Sequence, residues 1–144
     1  MTRLPVFVGV FGAGLLAGVW LAWAAPTPTV TQVDDAEARM PGSKKAKITF
    51  LARGQNAFVG KLELDGGGKV PVHRDDTEEY IHVLEGSGTI SIDGVEHALK
   101  PGSTVYMPAG AEVHYANGPD RLEAIQVFAG PEPAAKYDAW EPVK

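Results

Sequence analysis

The sequence predicts an all-β fold, and three observations support this prediction. From Lys44 onward the chain consists of short runs rich in β-branched and aromatic residues, separated by glycine, proline and acidic turn residues. About nine such runs follow one another at intervals of roughly 8 to 12 residues, which is typical of a sandwich or barrel. No stretch of this region keeps a long helical period. We therefore expect one all-β domain whose sheet closes on itself.

The strands are expected in an order set by the turn signals between them. The Asp93-Gly94 pair is the strongest hairpin signal in the chain, because a tight hairpin turn needs residues that tolerate positive φ. Lys100-Pro101-Gly102 makes a second turn. One helical turn is expected at residues 134–140, with Trp140 packed back on the barrel. The expected strands are residues 46–52, 57–65, 69–73, 79–86, 88–93, 95–99, 103–108, 111–117 and 122–130.

The N-terminal region is predicted to direct export. Residues 4–25 carry no charge, and Ala22-Trp23-Ala24 fits the small-x-small pattern of a signal-peptide cleavage site. Residues 1–24 are thus interpreted as a signal peptide; a retained membrane anchor is the alternative, since about 20 apolar residues span a bilayer. Both predict a periplasmic, secreted or membrane-anchored domain. Residues 25–43 are expected to be a linker, 44–130 the barrel and 131–144 a C-terminal tail.

Composition excludes several classes of function. The formal net charge is −5, whereas nucleic-acid binding needs clustered lysine and arginine, so no nucleic-acid partner is expected. The chain has no cysteine, which rules out disulfides, thiolate metal sites and a cysteine nucleophile. No Gly-x-Ser-x-Gly elbow or phosphate-binding glycine loop is present.

Two groups of residues resemble the two motifs of the cupin superfamily. The first motif of that family runs Gly, His-x-His, Glu, Gly, and the second runs Gly, Pro-x-Gly, His, Asn. The matching residues are Gly68, His73, Asp75, Glu79 and Gly86, followed by Gly102, Pro108, Gly110, His114 and Asn117. The resemblance covers about residues 48–128. It implies a cupin-type jelly-roll barrel with an internal ligand cavity and a divalent metal (Mn, Fe or Zn) held by His73, Asp75, Glu79 and His114.

The sequence departs from the family pattern at two of these ligands. Asp75 stands where the family has its second histidine; a carboxylate still ligates a divalent cation, but it favours harder metals such as Mn, Fe(II) or Mg. Between Gly110 and His114 there is one residue more than in the family. Because a strand alternates faces, either His114 points outward and Val113 takes its place, or a β-bulge near Gly110 restores His114 to the site.

Strand phase separates the candidate ligands from the other histidines. Glu79 shares a face with Ile81 and Val83, and an acid on that inward face needs a partner, so Glu79 is the first candidate ligand. His82 lies on the opposite face and is interpreted as a packed or interface histidine. His97 is interpreted as structural, although it could reach the cavity.

The sequence leaves three hypotheses for function. The first is an exported cupin-domain protein that binds a divalent metal and a small molecule in the barrel. The second is a non-catalytic small-molecule-binding cupin with a degenerate metal site, favoured if His114 faces outward. The third is a metal-free enzyme that uses His97 or Tyr106 as an acid or base. Proteins of this family catalyse many reactions, so the fold selects none of them. A homodimer is also expected.

Overall fold

The structure, a computed structural model, describes residues 27–143. This range forms eleven strands and two 3₁₀ helices, Val33–Asp35 and Glu132–Ala139. The strands are β1 (Ala38–Met40), β2 (Ala46–Arg53), β3 (Ala57–Leu64), β4 (Lys69–His73), β5 (Glu79–Glu85), β6 (Gly88–Ile92), β7 (Val95–Leu99), β8 (Thr104–Met107), β9 (Val113–Asn117), β10 (Leu122–Ala129) and β11 (Glu141–Pro142).

The strands form two antiparallel sheets. The larger sheet has the order β11-β1-β2-β3-β10-β5-β8, and the smaller has the order β4-β9-β6-β7. Successive strands such as β4, β5 and β6 alternate between the sheets, and β10 returns to lie between β3 and β5. This exchange of strands builds the jelly-roll barrel that the sequence predicted.

All nine expected strands are present, and their ends differ from the expected ones by no more than two residues. Strands β1 and β11 were not expected. They have three and two residues, too few for an alternating pattern, and they form because they pair with each other and because β1 also pairs with β2. The expected linker, residues 25–43, therefore contains a strand of the larger sheet.

Glycines shape two of the turns. Asp93 and Gly94 connect β6 to β7 with φ of 48° and 82°, as the sequence predicted for a tight hairpin turn. Gly86, the last glycine of the first cupin motif, follows β5 with φ of 83°. A side chain at Gly86 would also collide with the backbone of Arg121. This motif position therefore needs glycine for both its conformation and its packing.

The apolar faces of the two sheets meet inside the barrel. One buried cluster includes Ile81 and Val83 from β5 and Val113 and Tyr115 from β9. A second cluster joins Phe58 and Phe128 of the larger sheet to Tyr137 of the C-terminal 3₁₀ helix. Trp140 packs against this second cluster, as the sequence predicted. The C-terminal helix is thus fixed to the barrel by burial of its own side chains. Within the described residues, no helix has the length and apolar character needed to cross a membrane. The signal peptide or anchor predicted at residues 1–24 lies outside them.

Candidate functional site

A cavity of about 600 Å³ lies inside the barrel. Much of its wall is apolar and comes from both sheets, including Leu62, Ile81, Val83, Met107 and Val113. A separate set of lining residues is polar or charged and includes His73, Asp75, Glu79, Gln126 and Lys136. A largely apolar cavity with a few polar groups is the usual form of a small-molecule site.

Glu79 is the most deeply buried of the charged lining residues. It begins β5, is only 6% exposed, and shares the inner face with Ile81 and Val83, as its phase predicted. Gln126 donates a hydrogen bond of 2.6 Å from Nε2 to Glu79 Oε1. Burial raises the pKa of Glu79 most strongly; the hydrogen bond from Gln126 and the charge of Lys136 oppose this rise.

A buried hydrogen-bond chain connects Glu79 to the C-terminal helix. The Tyr137 hydroxyl donates to Gln126 Oε1 at 2.7 Å, and this orients the amide so that its nitrogen faces Glu79. Burial, together with the negative charge of Glu79, raises the pKa of Tyr137 well above its usual range. Tyr137 therefore stays protonated and acts as a donor.

His73 presents one ring nitrogen to the same site. It ends β4, and its Nδ1 lies 2.9 Å from the carbonyl oxygen of Pro71. Because a carbonyl can only accept, Nδ1 carries a proton, so in the neutral imidazole the lone pair is on Nε2. Nε2 lies 3.7 Å from Asp75 Oδ2. Histidines that bind metals are commonly oriented by such a hydrogen bond from the other ring nitrogen.

Asp75 already has a cationic partner. It lies between β4 and β5, where its carbonyl accepts a hydrogen bond of 2.8 Å from the backbone nitrogen of Gly110. Lys136 Nζ lies 3.1 Å from Asp75 Oδ1 and 2.9 Å from Oδ2. The ammonium group is also 4.7 Å from the centre of the Phe128 ring. A lysine from the C-terminal helix thus supplies positive charge to the polar part of the cavity.

Three of the four candidate metal ligands come together, and the fourth does not. One ligand atom each from His73, Asp75 and Glu79 lies within 4.8 Å of the others. His114 is in register with Ser91, whereas its neighbour Val113 is in register with His73 and lines the cavity. The expectation that His114 joins the metal ligands is therefore corrected: no bulge restores it, and strand alternation directs it outward.

The remaining histidines and Tyr106 lie away from this group. His82 is exposed and its Nδ1 is 2.8 Å from Thr104 Oγ1, so it is an outer-face residue. His97 is exposed as well. Tyr106 is half exposed and donates to Glu78. Neither His97 nor Tyr106 is among the residues that line the cavity, so the structure gives no support to an acid or base from these residues inside the barrel.

Sequence reasoning missed Gln126, Lys136 and Tyr137, the cavity residues that connect Glu79 and Asp75 to the C-terminal helix. A signal existed only for Gln126, which interrupts the inward set Leu122, Ala124 and Phe128 of β10. The outer face of β10 is also rich in apolar residues, so the sequence pattern alone did not identify the inner face.

The grouped side chains fit a divalent cation chemically. Two carboxylates and one imidazole are ligands that Mn²⁺ and Fe²⁺ accept, and their charges balance that of a dication. In the neutral imidazole the lone pair of His73 is on Nε2, because Nδ1 donates to the carbonyl of Pro71. Three protein ligands would leave further coordination positions for a small molecule.

Comparison with known proteins identifies the family. The model of the cupin domain matches residues 60–128. The dimethylsulfoniopropionate lyase DddW of Ruegeria pomeroyi is 33% identical over 87 residues, which are 60% of this chain and 55% of the lyase. The chain thus spans about half the length of that relative. An uncharacterized protein of Streptomyces coelicolor is 29% identical over 101 residues, which are 70% of this chain and 95% of that protein.

Solved structures agree with this assignment. An RmlC-like cupin from Shewanella frigidimarina superposes with a TM-score of 0.67 at 20% identity, over 72% of this chain and 92% of that one. A predicted oxalate decarboxylase from Thermotoga maritima superposes with a TM-score of 0.62 at 18% identity, over 71% of this chain and 99% of that one. At such identities the likeness shows the fold alone. The family match, the jelly-roll barrel and the two sequence motifs together establish that this chain belongs to the cupin superfamily.

Proposed function

We propose that this protein binds a small molecule inside the barrel, with the polar part of the ligand directed toward His73, Glu79 and Gln126. One observation carries the proposal: a buried carboxylate, that of Glu79, faces a largely apolar cavity of about 600 Å³. A buried charged group is costly to fold, so its placement on a cavity wall favours a role in binding over a role in packing.

A fluorescent probe tests the cavity directly. Anilinonaphthalene sulfonate, which is apolar with one charged group, is expected to bind the native chain. Val113→Phe fills part of the cavity and should weaken this binding. Leu84→Phe adds a ring on the exposed outer face of β5 and should leave it unchanged. Equal effects of the two variants would contradict binding inside the barrel.

The named relative suggests a first natural ligand. Dimethylsulfoniopropionate is in the name of the relative from Ruegeria pomeroyi, and we propose it as a probe for this chain. Isothermal titration of the native chain and of Val113→Phe with this compound tests whether the chain binds it inside the barrel. Absence of binding to the native chain would show that the relative's ligand does not carry over.

We further propose that His73, Asp75 and Glu79 hold a divalent cation, Mn, Fe or Zn, with low affinity. The affinity is low because His114 is not a ligand and because Lys136 already pairs with Asp75. When bound, such a metal polarises a carbonyl or carboxylate group of the small molecule. The same two features favour the alternative of a non-catalytic binding protein with a degenerate metal site.

Metal titration tests this part of the proposal. After treatment with a chelator, the native chain should take up Mn²⁺ weakly; Glu79→Gln should sharply reduce the uptake, whereas His82→Gln should not. Val113→His places an imidazole on the inner face of β9 and should raise the affinity by about tenfold or more, since it adds a fourth ligand. His114→Gln should change nothing. Equal loss in Glu79→Gln and His82→Gln would contradict the proposed ligand set.

Export and association are further parts of the proposal. The uncharged run at residues 4–25 supports passage of the domain out of the cytoplasm. N-terminal sequencing of protein from the producing cell should find a mature terminus near Ala25; an intact Met1 in the membrane fraction would favour the anchor. A homodimer is proposed as well, and sedimentation analysis tests it.

A further inference from the structure

We propose that the ammonium group of Lys136 and a divalent metal compete for the Asp75 carboxylate, so that only one of the two cations is bound there at a time. The inference rests on the proposed metal site. It adds a competitor that lies outside the residues of the cupin-domain match, because that match ends at residue 128.

Geometry makes the two cations mutually exclusive. Lys136 Nζ is within 3.1 Å of both carboxylate oxygens of Asp75, so it occupies the face of the carboxylate that looks toward its own helix. Asp75 in turn offers one oxygen to the group formed with His73 and Glu79. A dication bound to that oxygen would lie next to the Lys136 ammonium group on the same carboxylate, and two positive charges so close together repel strongly.

The side chain can leave without disturbing the helix that carries it. Ala134 and Tyr137 are buried and fix the C-terminal 3₁₀ helix to the barrel. The Lys136 side chain, in contrast, is 37% exposed, and its four-carbon stem is flexible. Metal entry therefore requires one rotation of an exposed lysine. In the metal-free state, Lys136 balances the charge of Asp75.

The test is the affinity of the full chain for Mn²⁺, measured by isothermal titration after removal of bound metal. Lys136→Met keeps an apolar stem over Phe128 but removes the ammonium group. We expect it to bind Mn²⁺ about tenfold more tightly than the native chain, which is within the usual range of coupling between sites. In the Asp75→Asn background, the further change Lys136→Met should give no such gain over Asp75→Asn alone, because the competition acts through Asp75.

Lys69→Met is the matched control. Lys69 also lines the cavity, but the lysine that pairs with Asp75 is Lys136. Its removal should change Mn²⁺ affinity by less than about threefold, which reports the general effect of one positive charge near the site. Urea unfolding of each variant verifies that it is folded. If Lys136→Met does not fold, Lys136→Gln serves as a second variant.

Each outcome decides the inference. Tighter binding in Lys136→Met but not in Lys69→Met supports it, even if the native chain binds too weakly to measure. Equal affinity of Lys136→Met and the native chain overturns the competition but leaves the metal site intact. Absence of Mn²⁺ binding in all variants overturns the competition and the metal site together. Binding of anilinonaphthalene sulfonate tests the proposed small-molecule cavity separately. A failure of the cavity proposal can therefore be distinguished from a failure of the competition at Asp75.

Discussion

Replacement of Glu79 by glutamine is expected to stabilise the metal-free protein. Burial is the largest cause that raises the pKa of Glu79 above its ordinary value of 4.5, and nearby Asp75 adds to the rise. Gln126, Lys136 and His73 act in the opposite direction but leave the pKa raised. The folded protein therefore disfavours the ionised carboxylate, whereas glutamine has nearly the same shape without the charge.

The size of the effect follows from the contacts of the carboxylate. Burying a charged group costs several kcal/mol, even after relaxation. The hydrogen bond from Gln126 returns roughly 1.5 to 3 kcal/mol, because one partner is charged. The positive charge of Lys136 offsets a further part of the cost of burying the carboxylate. We therefore expect Glu79→Gln to raise the free energy of unfolding by about 1 to 2 kcal/mol at neutral pH.

Urea unfolding in the presence of a chelator measures this difference. A group whose pKa is raised on folding contributes stability that is present below its unfolded pKa and lost as the pH rises through the folded one. The native chain and Glu79→Gln should thus be equally stable near about pH 4 and differ near about pH 7.5. Glu85→Gln, at the exposed end of the same strand, controls for the loss of one negative charge. A Glu79→Gln protein less stable than the native chain at the higher pH would refute the reasoning from burial.

Two further variants test the hydrogen-bond chain and the β6–β7 turn. Tyr137→Phe removes the donor to the buried Gln126 oxygen and should lower the free energy of unfolding by about 1 to 3 kcal/mol. The control Tyr106→Phe removes an exposed hydroxyl and should lower it by less than about 0.5 kcal/mol. Equal losses in urea unfolding would contradict a stabilising role of the hydrogen-bond chain. Gly94→Ala introduces a side chain at φ of 82° and should cost about 1 kcal/mol or more; thermal unfolding measures the loss, and an unchanged midpoint would contradict the strain.

Local sequence pattern was sufficient to predict most of the barrel. Alternation encodes which side chains share a face, so the positions of Glu79, Ile81 and Val83 in β5 were predicted correctly. Turn chemistry encodes conformation within a few residues, so the Asp93-Gly94 hairpin was predicted as well. These properties depend on neighbours in the chain, which the sequence displays directly.

The site depends on contacts between distant residues, and there the sequence was insufficient. Whether His114 or Val113 faces inward was decided by the register of β9 with β4 and β6, not by the spacing after Gly110. The ion pair between Lys136 and Asp75 joins residues that are 61 positions apart. No local pattern marks such a lysine, because its partner is chosen only when the C-terminal helix packs on the barrel.

The pairing of β1 with β11 has a practical consequence for anyone who handles this protein. Arg39 lies opposite Pro142 in this pairing, so the chain enters and leaves the barrel side by side. Pro41 and Trp140, next to these two strands, both line the cavity. A purification tag or fusion partner attached within a few residues of β1 or β11 would thus lie beside the ligand site, and a histidine tag would bring its own metal-binding groups there. Ligand and metal measurements are best made after such additions are cleaved off.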